Sequence, residues 1–269
     1  FKVLARHQKC TVQVVVDSLM RFTAADQMER LAKLSEGLPI RLQWAGIPTL
    51  QWQKDFGIQA PLVELHERFA KEGRDFWTGY AHVPVTVTAS IRASLLFAKS
   101  NEYVWHEVVT ADSDEEKIAL LSSDEWRARA RHSWDNDSLE TSFFREPGPM
   151  MLDNSENEIG PMGITLGEYA EQLALHPSDA LAEWFIQNGL SSTVTMPPWH
   201  KDDDMITRLT RDPYAVGNIN DSGAHGQLFC GSGDNLLLYT DYVKGNKLSI
   251  EEAVCSQTGK LANHFGFTD

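Results

Sequence analysis

The sequence has 269 residues, 42% hydrophobic and 23% charged, which is enough chain for a sizeable buried core and excludes a disordered or fibrous protein. Acidic residues outnumber basic ones 38 to 24, and the formal charge of −14 opposes binding to a nucleic-acid backbone or an anionic membrane surface; the densest basic stretch, Arg127 to His132, alternates with alanine as a helix surface does. Cys10, Cys230 and Cys255 are too few and too scattered for a disulfide framework or a CxxC metal knot, and no apolar run approaches the ~20 residues of a membrane helix, so a cytoplasmic setting is expected.

The first strand signal is Thr11 to Asp17, a β-branched run of the kind that suits a strand covered on both faces in a parallel sheet. Ala24 to Glu36 reads as a helix with Met28, Leu31, Ala32 and Leu34 on its apolar face, ended by Gly37. Ile40 to Trp44 is a second strand, Pro61 to Glu72 a helix closed by Gly73, Phe76 to Tyr80 a third strand, and Val85 to Thr88 another β-branched run. Strand, helix, glycine, strand at roughly 30-residue spacing predicts βα units and a parallel sheet.

From about residue 100 to 165 the pattern changes to two helix starts, one a capping box of Ser122 with Glu125, with no strand, followed by a Pro, Gly, Asn and Glu-rich stretch. This segment is expected to be an insertion or lid-like excursion, with a plain surface loop as the alternative. Helices resume at Leu166 to Leu175 and Ser178 to Gln187, then come a strand at Ser192 to Met196, a helix at Asp202 to Thr210 and a strand at Tyr214 to Ile219. Two helices close the chain, Asn235 to Lys244 and one opened by the capping box Ser249 with Glu252, whose buried face should carry Ile250, Val254, Leu261 and Phe265. About five parallel strands result, against the eight of a closed barrel, so either an open α/β sheet or an incomplete barrel is expected.

The string Val216-Gly217-Asn218-Ile219-Asn220-Asp221-Ser222-Gly223-Ala224-His225 ends a strand and follows it at once with a carboxylate, small residues and an imidazole. Active sites of barrels and open α/β sheets lie beyond the carboxyl ends of the strands, so Asp221 is well placed to bind a divalent metal and to take a proton from water. Ser222 and Gly223 would let a substrate approach the backbone closely. The same letters also spell an ordinary Gly-containing turn with an N-cap or turn aspartate.

Asn220 to His225, then Phe229-Cys230, Leu236-Leu237-Leu238, Ser249-Ile250-Glu251-Glu252-Ala253-Val254 and the closing Asn263 to Asp269, resemble the end of the barrel in the N-acyl-D-amino-acid deacylases (D-aminoacylases) of the metal-dependent amidohydrolase superfamily. The resemblance spans most of the chain, with its specific part in the final fifty residues. It implies an α/β fold, an incomplete (β/α)8 TIM-type amidohydrolase barrel over residues 1–269 with its early strands missing. The implied cofactor is a divalent metal, usually zinc. The implied reaction is hydrolysis of amide C–N bonds in small substrates such as N-acyl amino acids, with no nucleic-acid or membrane partner. Asp221 takes the role of metal-associated general base and proton donor, and His225, Ser222 and Gly223 face the substrate.

Asn220 stands where the family has serine, and the family's His-x-His on its first strand has no counterpart in this sequence. Phe1 in place of an initiator Met and a chain end directly after a helical pattern suggest truncation at both ends, which would leave this chain with an incomplete ligand set, inactive alone. The alternatives are a non-catalytic barrel that binds a small ligand or partner, and a cyclic-amide (hydantoinase-like) hydrolase. Of the other candidates, His66, His132, His176 and His264 read as packing, linker or helix-end residues, and His200 could face the site. Asp202 to Asp204 read as a solvated first helical turn. Gln43 and His82 lie on or past strands without matching a motif, Trp44, Trp52 and Trp199 could line an acyl pocket, and Cys230 reads as packing.

Overall fold

The computed structural model describes residues 1–7, 10–16, 23–55, 57–83, 86–92, 104–136, 148–196, 200–217 and 234–267. In chain order the elements are β1 (Thr11–Val14), α1 (Ala24–Leu34), β2 (Arg41–Trp44), α2 (Gln51–Asp55), α3 (Gln59–Lys71), β3 (Phe76–Tyr80), β4 (Val87–Ala89), α4 (Trp105–Thr110), α5 (Asp114–Ser122), α6 (Asp124–Trp134) and β5 (Met151–Asn154). They continue with α7 (Leu166–Leu173), α8 (Pro177–Asn188), β6 (Thr193–Met196), α9 (Asp203–Arg211), β7 (Ala215–Gly217), α10 (Ile250–Gln257) and α11 (Gly259–Phe265). Two compact units divide the described residues: 1–83, 200–217 and 234–267 form the first, and 86–196 the second.

The first unit is built on a four-stranded parallel sheet in the order β1-β2-β3-β7. Register aligns Leu42 with Phe76, Trp44 with Thr78 and Thr78 with Ala215, so these side chains share one face. That face packs on Met28 and Ala32 of α1, Leu62, Leu65 and Phe69 of α3, Ile206 and Leu209 of α9 and Ala253 of α10. The opposite face carries Thr11, Gln13, Arg41, Gln43 and Trp77, and α11 lies against part of it through His264. A parallel sheet with flanking helices is an α/β arrangement consistent with a sector of a barrel; among the described residues it runs from β1 to β7 without closing a ring. Among the described residues β1 pairs with β2 alone, and its side chains are half-buried to exposed rather than covered on both faces as its β-branched run suggested.

In the second unit, β4, β6 and β5 form a three-stranded antiparallel sheet in that order. Three expectations change here. The runs at Val85 to Thr88 and Ser192 to Met196 are not parallel strands, and the 100–165 stretch does contain a strand, β5. The cause is the alternation: Val87, Ala89, Leu152, Val194 and Met196 are buried, while Thr88 meets Thr195 at 3.0 Å and Thr195 donates to Asp153 at 3.0 Å on the wetter face.

Helices α4 to α8 of this unit assemble around indoles. Trp105 packs edge-on against Trp126 at 5.2 Å and donates to the Ser178 hydroxyl at 2.9 Å. Lys117 of α5, 5% exposed, donates to the carbonyls of Val108 at 2.8 Å and Val109 at 2.7 Å, serving as the cap of α4. The cap of α6 is Ser123, one residue beyond the expected Ser122.

The closing helices also depart from expectation. Leu238–Val243 is a π-helix preceded by a 3-10 turn at Asp234–Leu236, rather than an α-helix. The capping box of Ser249 and Glu252 opens α10 as its spacing predicts. Ile250, Val254 and Phe265 are 50%, 43% and 56% exposed, however, because Ala253, Ser256 and His264 point inward in their place.

Candidate functional site

The candidate site is the carboxyl edge of the parallel sheet, toward which β2, β3 and β7 all run. Close backbone packing shapes this edge. Gly46, just past β2, has φ +112°, and a Cβ there would sit 1.6 Å from the Gly79 carbonyl oxygen, so the chain can leave β2 beside β3 only with glycine in place. Gly217 ends β7 against the Tyr80 ring, where a Cβ would lie 2.9 Å from the phenol. Tyr80 donates to Thr210 of α9 at 2.9 Å, and burial pushes its hydroxyl up to about 12.

The loops beyond the edge are tied down by polar contacts. Ile47 N–H donates to Thr78 Oγ1 at 3.0 Å, and Thr49 donates to the Ala81 carbonyl at 2.6 Å. His82, two residues past β3, is fully buried, and its carbonyl accepts from Lys201 Nζ at 3.4 Å. Lys201 also pairs with Asp241 of the π-helix at 3.2 Å and lies 5.2 Å from the centre of the Tyr242 ring, with Lys247 at 5.4 Å from the same centre. Tyr242 donates to Asp203 at 2.7 Å, and Lys247 joins that carboxylate at 2.5 Å. Burial opposes ionisation of Asp203, but the Lys247 and Tyr242 hydrogen bonds outweigh it and hold the carboxyl below its ordinary range.

Asp202, expected to be solvated, is 3% exposed: it caps α9 through Met205 N–H at 3.3 Å and pairs with Lys54 at 3.2 Å. The acidic run is thus mostly consumed by structure. Sequence spacing gave no signal for Lys201, Asp241 or Tyr242, which meet only through the fold.

Asp221, Ser222, Gly223 and His225 lie outside the described residues, as do Asn220, Cys230, Trp199 and the side chain of Trp52. Among the described residues no group of three or more His, Cys, Asp and Glu side chains could hold a metal ion. His66 contacts Asp212 at 3.2 Å inside the first unit, and His176 caps α8 by accepting from Ser178 N–H at 3.1 Å. His132 sits in the last turn of α6, and His200 is exposed, with its carbonyl accepting from Gln51 N–H at 2.9 Å. Trp44 is buried in the core between sheet and helices. Gln43 accepts from His264 at 2.7 Å.

No helix among the described residues is long and apolar enough to cross a membrane. No protein-family model matches the chain, and no curated protein matches it. A solved structure similar to it is the N-acyl-D-glutamate deacylase of Bordetella bronchiseptica, in complex with zinc and a phosphonate inhibitor that mimics the tetrahedral intermediate. The two are 13% identical with a TM-score of 0.48, over 99% of this chain and 44% of that one, so this chain spans less than half the length of that enzyme.

Proposed function

We propose that this protein hydrolyses amide C–N bonds in small substrates such as N-acyl amino acids, with Asp221 as general acid and base. The observation that carries the reading is the direction of β7: it runs parallel to β3, so its carboxyl end at Gly217 points to the edge where α/β folds bind their ligands, and Asn220 to His225 follow it closely in the sequence. The ordered resemblance of that string and of the closing residues to the deacylases supplies the reaction class.

In this reading the Asp221 carboxylate takes a proton from water as its oxygen attacks the acyl carbon. The C–N bond then breaks as the same proton passes to the departing nitrogen, giving a carboxylic acid and a free amine. Ser222 and Gly223, lacking bulk, leave room for the substrate beside the backbone, and His225 faces it. The resemblance also implies a divalent metal, zinc in the first place. The described residues do not supply a ligand set for one, and the proton transfers above are carried by Asp221 and water.

The test is release of free amine from N-acetyl amino acids of both hands by the full-length gene product, with metal analysis of the same preparation. Asp221→Asn should lower kcat by at least about 100-fold. An unchanged rate in that variant removes Asp221 from the chemistry, and no hydrolysis of any acyl amino acid by the unsubstituted protein removes the substrate class.

A further inference from the structure

We propose that the docking of α11 on the parallel sheet is a proton-released latch, with His264 as the group that opens it. His264 is 1% exposed and sits between the rings of Trp77, 4.6 Å away, and Phe265, 4.8 Å away. Its Nε2 lies 2.7 Å from Gln43 Oε1, an acceptor, which places the ring proton on Nε2. Among the described residues Nδ1, a buried lone pair, has no hydrogen-bond partner. A second proton would therefore create a buried N–H with nothing to receive it, at a cost that undocking relieves.

Of the charges around the ring, Arg41 acts in the same direction and Asp75 against it. Arg41 of β2 donates through Nη1 to the Asn263 carbonyl at 2.9 Å and to that of His264, so a guanidinium is already fixed against the end of α11. Asp75, just before β3, would favour an imidazolium. Its oxygens are engaged by Arg41 Nε at 2.9 and 3.0 Å and by Trp77 Nε1 at 2.8 Å. Arg74 is paired with Glu72 at 2.6 Å, and Lys260 of α11 reaches away to the Thr210 carbonyl at 2.7 Å. A cavity of about 660 Å³ with Cys10, Glu36 and Phe76 in its walls is also lined by residues 263–266 at the end of α11.

Burial first, then Arg41, push the His264 imidazole down to about 4, against the pull of Asp75. Once undocked it returns to the ordinary ~6.5, so the free helix binds more protons throughout the interval between those values. Docking is thus fully favoured above that interval and weakens as pH falls through it, by about 20-fold between pH 7 and pH 5.

Hydrogen exchange of the whole chain, corrected for intrinsic rates, tests this directly. Amides 259–267 should lose about 20-fold in protection between pH 7 and pH 5 while those of α3 hold steady. No change in α11, or an equal change in α3, overturns the latch. His264→Gln, which keeps an N–H for Gln43 and does not titrate, should flatten the pH dependence, and persistence of the wild-type slope overturns it. Should that variant fail to fold, the imidazole nitrogens of the unsubstituted protein can be followed by NMR: a midpoint near 4 with the proton on Nε2 supports the latch, and one near 6.5 overturns it.

Discussion

The sheet of the first unit and the sheet of the second are made from runs that look alike in sequence yet fold in opposite senses. The runs from Val12 and from Val85 are both rich in β-branched residues, but the first supplies β1 of a parallel sheet and the second leads to β4, Val87–Ala89, at the margin of an antiparallel one. The distinction lies in what alternates. β3, at the centre of the parallel sheet, is buried at all five positions, whereas β4 and β6 place threonine between apolar residues and bury every second one. Threonine at period two marks a sheet with one wetted face, which antiparallel strands tolerate and fully covered parallel strands do not. β2 also alternates, for another reason: Arg41 and Gln43 lie on the face that α11 partly covers, where they hold its terminal carbonyls and His264.

This contrast can be broken at defined places. The largest effect is expected at Gly46→Ala, where a methyl group meets the Gly79 carbonyl and the backbone lies in left-handed space. A loss of at least about 3 kcal/mol in chemical denaturation is expected, with hydrogen exchange rising in β2 and β3 rather than in β4 to β6. A loss under about 1 kcal/mol would mean that the parallel strands do not leave the sheet in contact. Leu152→Ala, which opens a cavity on the dry face of the antiparallel sheet, should cost about 2–4 kcal/mol and loosen the second unit. Thr195→Val, on the wet face of the same sheet, should change stability by no more than about 0.5 kcal/mol in the same denaturation measurement. Equal costs at Leu152 and Thr195 would refute the assignment of dry and wet faces.

Local signals were legible. The capping box at Ser249 and Glu252 and the βα alternation through Tyr80 could be read from residues three or four apart, because helix caps and strand periods are short-range physics. Contacts between distant residues could not. Arg41 and the Asn263 carbonyl are 222 residues apart, and no spacing rule announces that α11 turns His264 inward and leaves Ile250 and Val254 in solvent. Lys117 carries no signal in the sequence, and only the fold shows it spanning to the end of α4. The expected site at the carboxyl ends of the strands rests on Asp221 and its neighbours, which lie outside the described residues. Lys201, Asp241 and Tyr242, which crowd the carboxyl edge, were not foreseen, because a lysine after a Trp-His pair and an aspartate inside an apolar run carry no pattern of their own.

β1 has a neighbour on one side only among the described residues, and its outer backbone amides and carbonyls follow the sequence Thr-Val-Gln-Val. Backbone groups along such a margin pair with any strand offered to them, so the outer side of β1 is where a further strand of a barrel would add.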